Sequence, residues 1–143
     1  MIISIIIAIF LVICIIALYN RGISLRNFVK EAFSTMDVYL KKRWDLVPNL
    51  VECVKGYATH EKDVLDRVTQ LRNINYSNLT NEQKMEANKQ IGFGLSKLIA
   101  IAENYPDLKA NESFKNLMNE LSNIENDIAN SRKYYNADRK SVV

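Results

Sequence analysis

Residues 2–19 read IISIIIAIFLVICIIALY, and from Ile2 to Tyr19 every position except Ser4 is aliphatic, aromatic or Cys. At 1.5 Å per residue such a run makes about 27 Å of helix, close to the hydrocarbon thickness of a bilayer. A helix that is apolar on every side offers water no face, so this stretch reads as a transmembrane helix rather than as the edge of a soluble core. No basic leader precedes it, and Ala17, Leu18, Tyr19 and Asn20 supply no small-residue cleavage site, so residues 1–20 are expected to remain as an anchor. Leu11, Val12 and Ile13 are too bulky for lipoprotein processing at Cys14. Tyr19, Asn20 and Arg21 suit the exit from the headgroups. Arg21, Arg26 and Lys30 follow the run and no Lys or Arg precedes it. The positive-inside bias therefore predicts a single-pass cell-membrane protein with its N-terminus outside and the remainder in the cytoplasm.

Outward from the anchor, roughly 120 residues remain, enough for one core. Four glycines and two prolines in 143 residues disfavour the turn-rich layouts of sandwiches, barrels and doubly wound sheets. Long helices fit best. The 19 basic and 16 acidic side chains are interspersed, leaving no single-sign field for nucleic acid. Cys14 in the apolar run and Cys53 beyond it are not placed to bridge.

The spacing of apolar residues predicts an all-α chain: the transmembrane helix, then an antiparallel four-helix bundle over residues 21–137. Phe28, Ala32, Met36 and Tyr39 mark a helix from about residue 21 to 44 that continues the anchor, with Gly22 as its weak point. Asp45 as cap and Pro48 in a first turn predict a reversal between Trp44 and Asn49. Val47, Leu50, Val54, Tyr57, Val64, Val68 and Leu71 keep a seven-residue repeat, as in a coiled coil, that only Glu61 interrupts. Thr80 followed by Gln83 is a capping-box start for a third helix, with Ala87, Ile91, Leu95, Leu98 and Ala102 on one face and an end at Tyr105 before Pro106. Gly92 and Gly94 would let another helix approach closely. Asn111 caps a fourth helix carrying Phe114, Leu117, Leu121, Ile124, Ile128 and Tyr135.

Chemistry is sparse. His60 is the one histidine, so a dinuclear bundle site with two Glu-x-x-His motifs cannot form. Cys53 lies seven positions from His60, about 10 Å along a helix, beyond reach of a base. No phosphate loop or nucleophile elbow is present. Glu61 on the seam could bind a cation with Glu103, Glu120 or Glu125, or pair with Arg132; a structural carboxylate that fixes helix register is the commoner outcome. Glu61, Glu103, Glu125 and Arg132 are accordingly the candidate structural polar positions, and no catalytic, cofactor or metal residue is assigned. The run Lys41-Lys42-Arg43 is expected at a helix end, where it complements the dipole.

Two blocks carry a family resemblance. The first holds Arg26-Asn27, Val29, Glu31-Ala32, Asp37-Val38, Leu40-Lys41, the stretch Asp45 to Glu52 (DLVPNLVE), Val54 to Ala58 (VKGYA) and His60-Glu61. The second runs from Ala102 to Asn111 (AENYPDLKAN) into Phe114, Leu117, Glu120-Leu121, Glu125, Ile128-Ala129, Arg132 and Tyr135-Asn136. Together they resemble the LemA family of bacterial membrane proteins. The resemblance implies an N-terminal membrane helix, an antiparallel helical bundle and no established enzymatic activity. Phe33 stands where a Trp is usual and Cys53 where a small or hydroxyl residue is usual, both core-compatible changes. Family members carry the last helix past the Tyr-Asn pair; here Asp138–Val143 matches the translation of a common sequencing adapter and is expected to be an unstructured, artefactual tail.

The expected function is a noncatalytic interaction or scaffold module held to the lipid bilayer by its first helix, with a protein partner or self-association, and without nucleic acid or a small-molecule substrate. The competing expectation is a metal-dependent enzyme using His60, Glu61, Glu103 and Glu125.

Overall fold

The computed structural model describes residues 2–142 apart from 59, 60 and 73; His60 and the side chains of Val64 and Leu71 lie outside the described residues. All described regular structure is helical. The order is α1 (Ile2–Lys55), α2 (Lys62–Arg72), a 3-10 turn (Tyr76–Asn78), α3 (Asn81–Glu103), α4 (Pro106–Ala110) and α5 (Glu112–Val142). Five α-helices are therefore described where the spacing predicted an anchor and four bundle helices.

The main correction concerns Pro48. No reversal occurs between Trp44 and Asn49: α1 passes through Pro48 without interruption and carries the apolar run and the first core helix as one element. Proline inside a helix costs about 3 kcal/mol through its lost amide and ring clash. Packing outweighs that cost here. Phe33, Met36, Leu40, Arg43, Val47, Leu50 and Val54 alternate at spacings of three and four, and all seven are buried, so one seam runs in unbroken phase across the proline. Burying each large apolar member contributes about 1.5–3 kcal/mol.

The chain instead turns after Lys55. Gly56 is a poor helix former, and the amides of Tyr57 and Ala58 both bond the Val54 carbonyl, at 3.0 and 2.8 Å, which closes the helix end. Glu61 consequently stands before α2, not on a seam within a longer helix: its carbonyl accepts the Leu65 amide at 3.3 Å. Gly22 lies within α1, with open space around it.

The later elements follow their capping chemistry. Thr80 Oγ1 accepts from the Gln83 amide at 3.3 Å while Gln83 Oε1 accepts from the Thr80 amide at 2.9 Å. The two bonds satisfy donors that would otherwise be orphaned at the start of α3. Ala87, Ile91, Leu95, Leu98 and Ala102 are buried, as the spacing predicted. Pro106 does not merely stop α3; it opens α4, where its missing amide is no loss. Asn111 Oδ1 accepts from the Phe114 amide at 3.0 Å and caps α5. The expected unstructured tail is also corrected: α5 continues through Asp138 to Val142, and Arg139 and Lys140 in its last turn complement the helix dipole.

Two compact units result. One is Asp37–Ala129; the other comprises residues up to Met36 with those from Asn130 onward. In the Asp37–Ala129 unit, Gly94 brings α3 against α2 so closely that a Cβ added there would lie 2.8 Å from Val68 Cγ2. In the other, the Phe33 and Tyr135 rings meet edge-on at 5.5 Å. From Ile2 to Tyr19 every described side chain except Cys14 is exposed, and α1 is the one described helix long and apolar enough to cross a membrane.

Candidate functional site

A network of six polar residues in the Asp37–Ala129 unit is built on Arg43. The heptad seam of α1 places this residue between Leu40 and Val47, with only 5% of its surface exposed. An arginine at such a position needs partners for its whole guanidinium, since an unpaired buried charge is costly. Nε donates to Asn88 Oδ1 at 3.3 Å, and Nη2 donates to Asn88 Oδ1 at 3.2 Å and to the Asn88 carbonyl. Nη1 donates to Glu125 Oε1 at 2.8 Å. Gly92 borders the guanidinium: a Cβ there would stand 3.6 Å from Nη1, an ordinary van der Waals contact. One side chain of α1 thus grips α3 and α5 together.

The network continues through Asn88, whose Nδ2 donates to Tyr76 Oη at 3.2 Å and to the Lys84 carbonyl at 3.1 Å. Tyr76 in turn donates its hydroxyl to Asp37 Oδ1 at 2.8 Å. Lys84 Nζ bonds the other Asp37 oxygen and lies 5.3 Å from the Tyr76 ring centroid. Trp44 packs on Tyr76 with ring centroids 5.2 Å apart. The 3-10 turn is therefore pinned by one tyrosine that fills an apolar site with its ring and a polar one with its hydroxyl. Burial raises the Tyr76 pKa far above the ordinary tyrosine range, and the hydrogen bond and charge of Asp37 add to the effect. A phenol so disposed stays protonated at neutral pH and is no general base.

The arrangement consumes its own polar groups. Among the described residues no buried side-chain nitrogen or oxygen lacks a partner, and none of their His, Cys, Asp and Glu groups gathers three potential ligands for one metal. A small cavity of about 60 Å³ lies between α1 and α2, lined by Val47, Pro48, Val51 and Val68 among others. It is far below the several hundred cubic ångströms typical of ligand pockets.

A model of the LemA family matches residues 32–141. The chain belongs to the LemA family. Among curated relatives, protein LemA of Metamycoplasma hominis is 26% identical over 112 residues, covering 78% of this chain and 51% of the relative. Magnetosome protein MamQ of Magnetospirillum gryphiswaldense is 25% identical over 145 residues, covering 83% of this chain and 53% of that protein. The chain spans about half the length of the curated relatives it matches. All six members of the polar network, Asp37, Arg43, Tyr76, Lys84, Asn88 and Glu125, fall inside the LemA-matched segment.

Within this LemA-family fold the four candidate polar positions part company. Glu125 enters the network as the Arg43 acceptor. Glu61 is half-buried ahead of α2, Glu103 is exposed at the end of α3, and Arg132 is exposed on α5. Sequence reasoning missed Arg43, which it assigned to a helix end because Pro48 was read as a break. The signal was present: counting the seam straight through from Phe33 to Val54 puts Arg43 on it. Asn88 and Tyr76 gave no comparable signal, because only the packing of α3 and the 3-10 turn against α1 makes their polar atoms partners.

Proposed function

We propose that this LemA-family chain is a membrane-anchored, noncatalytic protein-interaction module, its N-terminus outside the cell and its helical domain, a bundle of α1, α2, α3 and α5, in the cytoplasm. The observation that carries the reading is the exposure of the apolar run Ile2–Tyr19 on the same unbroken helix that supplies the core seam. Such a surface needs lipid, and α1 couples whatever fixes it there to the domain. The polar interior supports a structural role, since the Arg43 guanidinium and the Asn88 amide spend their bonds on holding helices together. The basic residues Arg21, Arg26 and Lys30 that follow the run support the cytoplasmic assignment.

Membrane flotation, protease accessibility and in-membrane photocrosslinking test this reading in one preparation. The full chain should float with vesicles after alkaline washing, resist protease added to intact cells, and crosslink reproducibly to a defined polypeptide. Digestion of the domain in intact cells would reverse the topology, and recovery of lipid adducts alone would end the interaction reading.

A further inference from the structure

A groove of about 320 Å³ lies between α1 and α5 in the unit that also contains the apolar run. Its walls include Phe28, Glu31, Ala32 and Thr35 of α1 with Tyr134 and Asp138 of α5. Two features set it apart. Phe28 and Tyr134 are 55% and 68% exposed, so two large aromatic side chains face solvent side by side on one groove. The chain carries a net charge of +3, yet the charged residues lining this groove are both carboxylates, Glu31 and Asp138. No described basic residue forms an ion pair with either one.

Aromatic faces beside carboxylates recognise organic cations, through the ring quadrupole together with direct charge. From the position on the helix we infer that the groove receives a lysine or arginine side chain, with its apolar neighbours, from the basic juxtamembrane segment of another membrane protein. Phe28 lies nine residues past Tyr19, about 14 Å along the helix axis beyond the apolar run. Cytoplasmic segments flanking membrane spans are enriched in Lys and Arg, so cationic chain is what a groove at that height meets. A lipid amine carries similar charge but resides in the headgroup layer, nearer Tyr19. The inference rests on the anchored, cytoplasmic reading above and names the chemistry of the partner.

The test uses the full chain in nanodiscs of zwitterionic lipid and a fluorescent synthetic peptide, helical, with lysines on one face and leucines on the other. Saturable binding over empty nanodiscs is expected, with none for the same peptide carrying glutamate in place of lysine. Combined Phe28→Ala and Tyr134→Ala should weaken binding about tenfold or more, as loss of two cation–π contacts implies. Glu31→Gln should weaken it about threefold and make it less sensitive to salt. Both changes alter exposed side chains, so thermal unfolding should be unmoved. Met118→Glu, in a separate groove between α3 and α5, should leave binding intact. Absence of binding, or binding indifferent to the aromatic pair, overturns the assignment. A photoreactive residue at position 134 that captures no polypeptide, while one at position 118 does, would discard the groove and leave the interaction module standing.

Discussion

Residues 2–19 and residues 33–54 of α1 are both rich in apolar side chains, yet the described side chains of the first stretch other than Cys14 are exposed and the second is buried at every third and fourth position. The difference lies in pattern. The first stretch is apolar all round and is long enough to cross a membrane; the second is apolar along one seam, which neighbouring helices cover. Each tolerates one polar intruder on its own terms. Ser4 in the first has a small hydroxyl, whereas Arg43 in the second is accommodated because α3 and α5 supply acceptors. A continuous helix can therefore carry an all-round apolar stretch and a one-sided core seam when its sequence changes period.

Charge placed in each stretch should break this contrast most sharply. Leu11→Arg puts a guanidinium at the centre of the apolar run and should cost about 3–4 kcal/mol of insertion free energy, seen as a shift of the full chain from membrane to soluble or aggregated fractions. Arg43→Ala does the reverse in the seam: it removes a charge, strands the Asn88 amide oxygen, and should cost about 3 kcal/mol in denaturant unfolding of the detergent-solubilised chain. Arg43→Met combined with Asn88→Leu should recover much of that loss, since two apolar groups need no partners. Failure of Arg43→Ala to destabilise would mean that the seam does not pass through residue 43.

Smaller effects sharpen the same picture. Gly94→Ala must push α3 off Val68 and should cost about 2 kcal/mol, read as a lowered Tm. Tyr76→Phe keeps the ring on Trp44 and loses the hydroxyl bonds to Asp37 and Asn88, for about 1 kcal/mol. The pH dependence carries a definite sign. Because Tyr76 ionises in the folded protein only well above the ordinary tyrosine value, the unfolded chain loses this proton first. Stability is thus full below about pH 10 and falls as pH rises beyond it, and Tyr76→Phe should flatten that alkaline decline.

Much of this was legible in the residues. The apolar run, the Thr80–Gln83 capping box, the Asn111 cap and the stripe on α3 all depend on neighbours within a few positions, and each stands where the spacing placed it. Pro48 misled because its local rule, which favours a first turn, competes with a seam extending over twenty residues; the longer pattern prevailed. Glu61 misled in the opposite way. The seven-residue repeat continued through it on paper, while Gly56 and the doubly used Val54 carbonyl ended the helix first.

By itself the sequence determined that one stretch is long and apolar enough to cross a membrane and that the rest is helical, because hydrophobic period and capping are properties of the local chain. Only the tertiary structure decided that Arg43, Asn88, Tyr76, Asp37 and Glu125 share one network, and that Phe28 and Tyr134 line one groove. Those groupings join residues 39 to 82 positions apart for the network's long-range bonds. Hydrogen bonds and ring contacts act over a few ångströms, and no periodicity along the chain reports which helices will come within that distance.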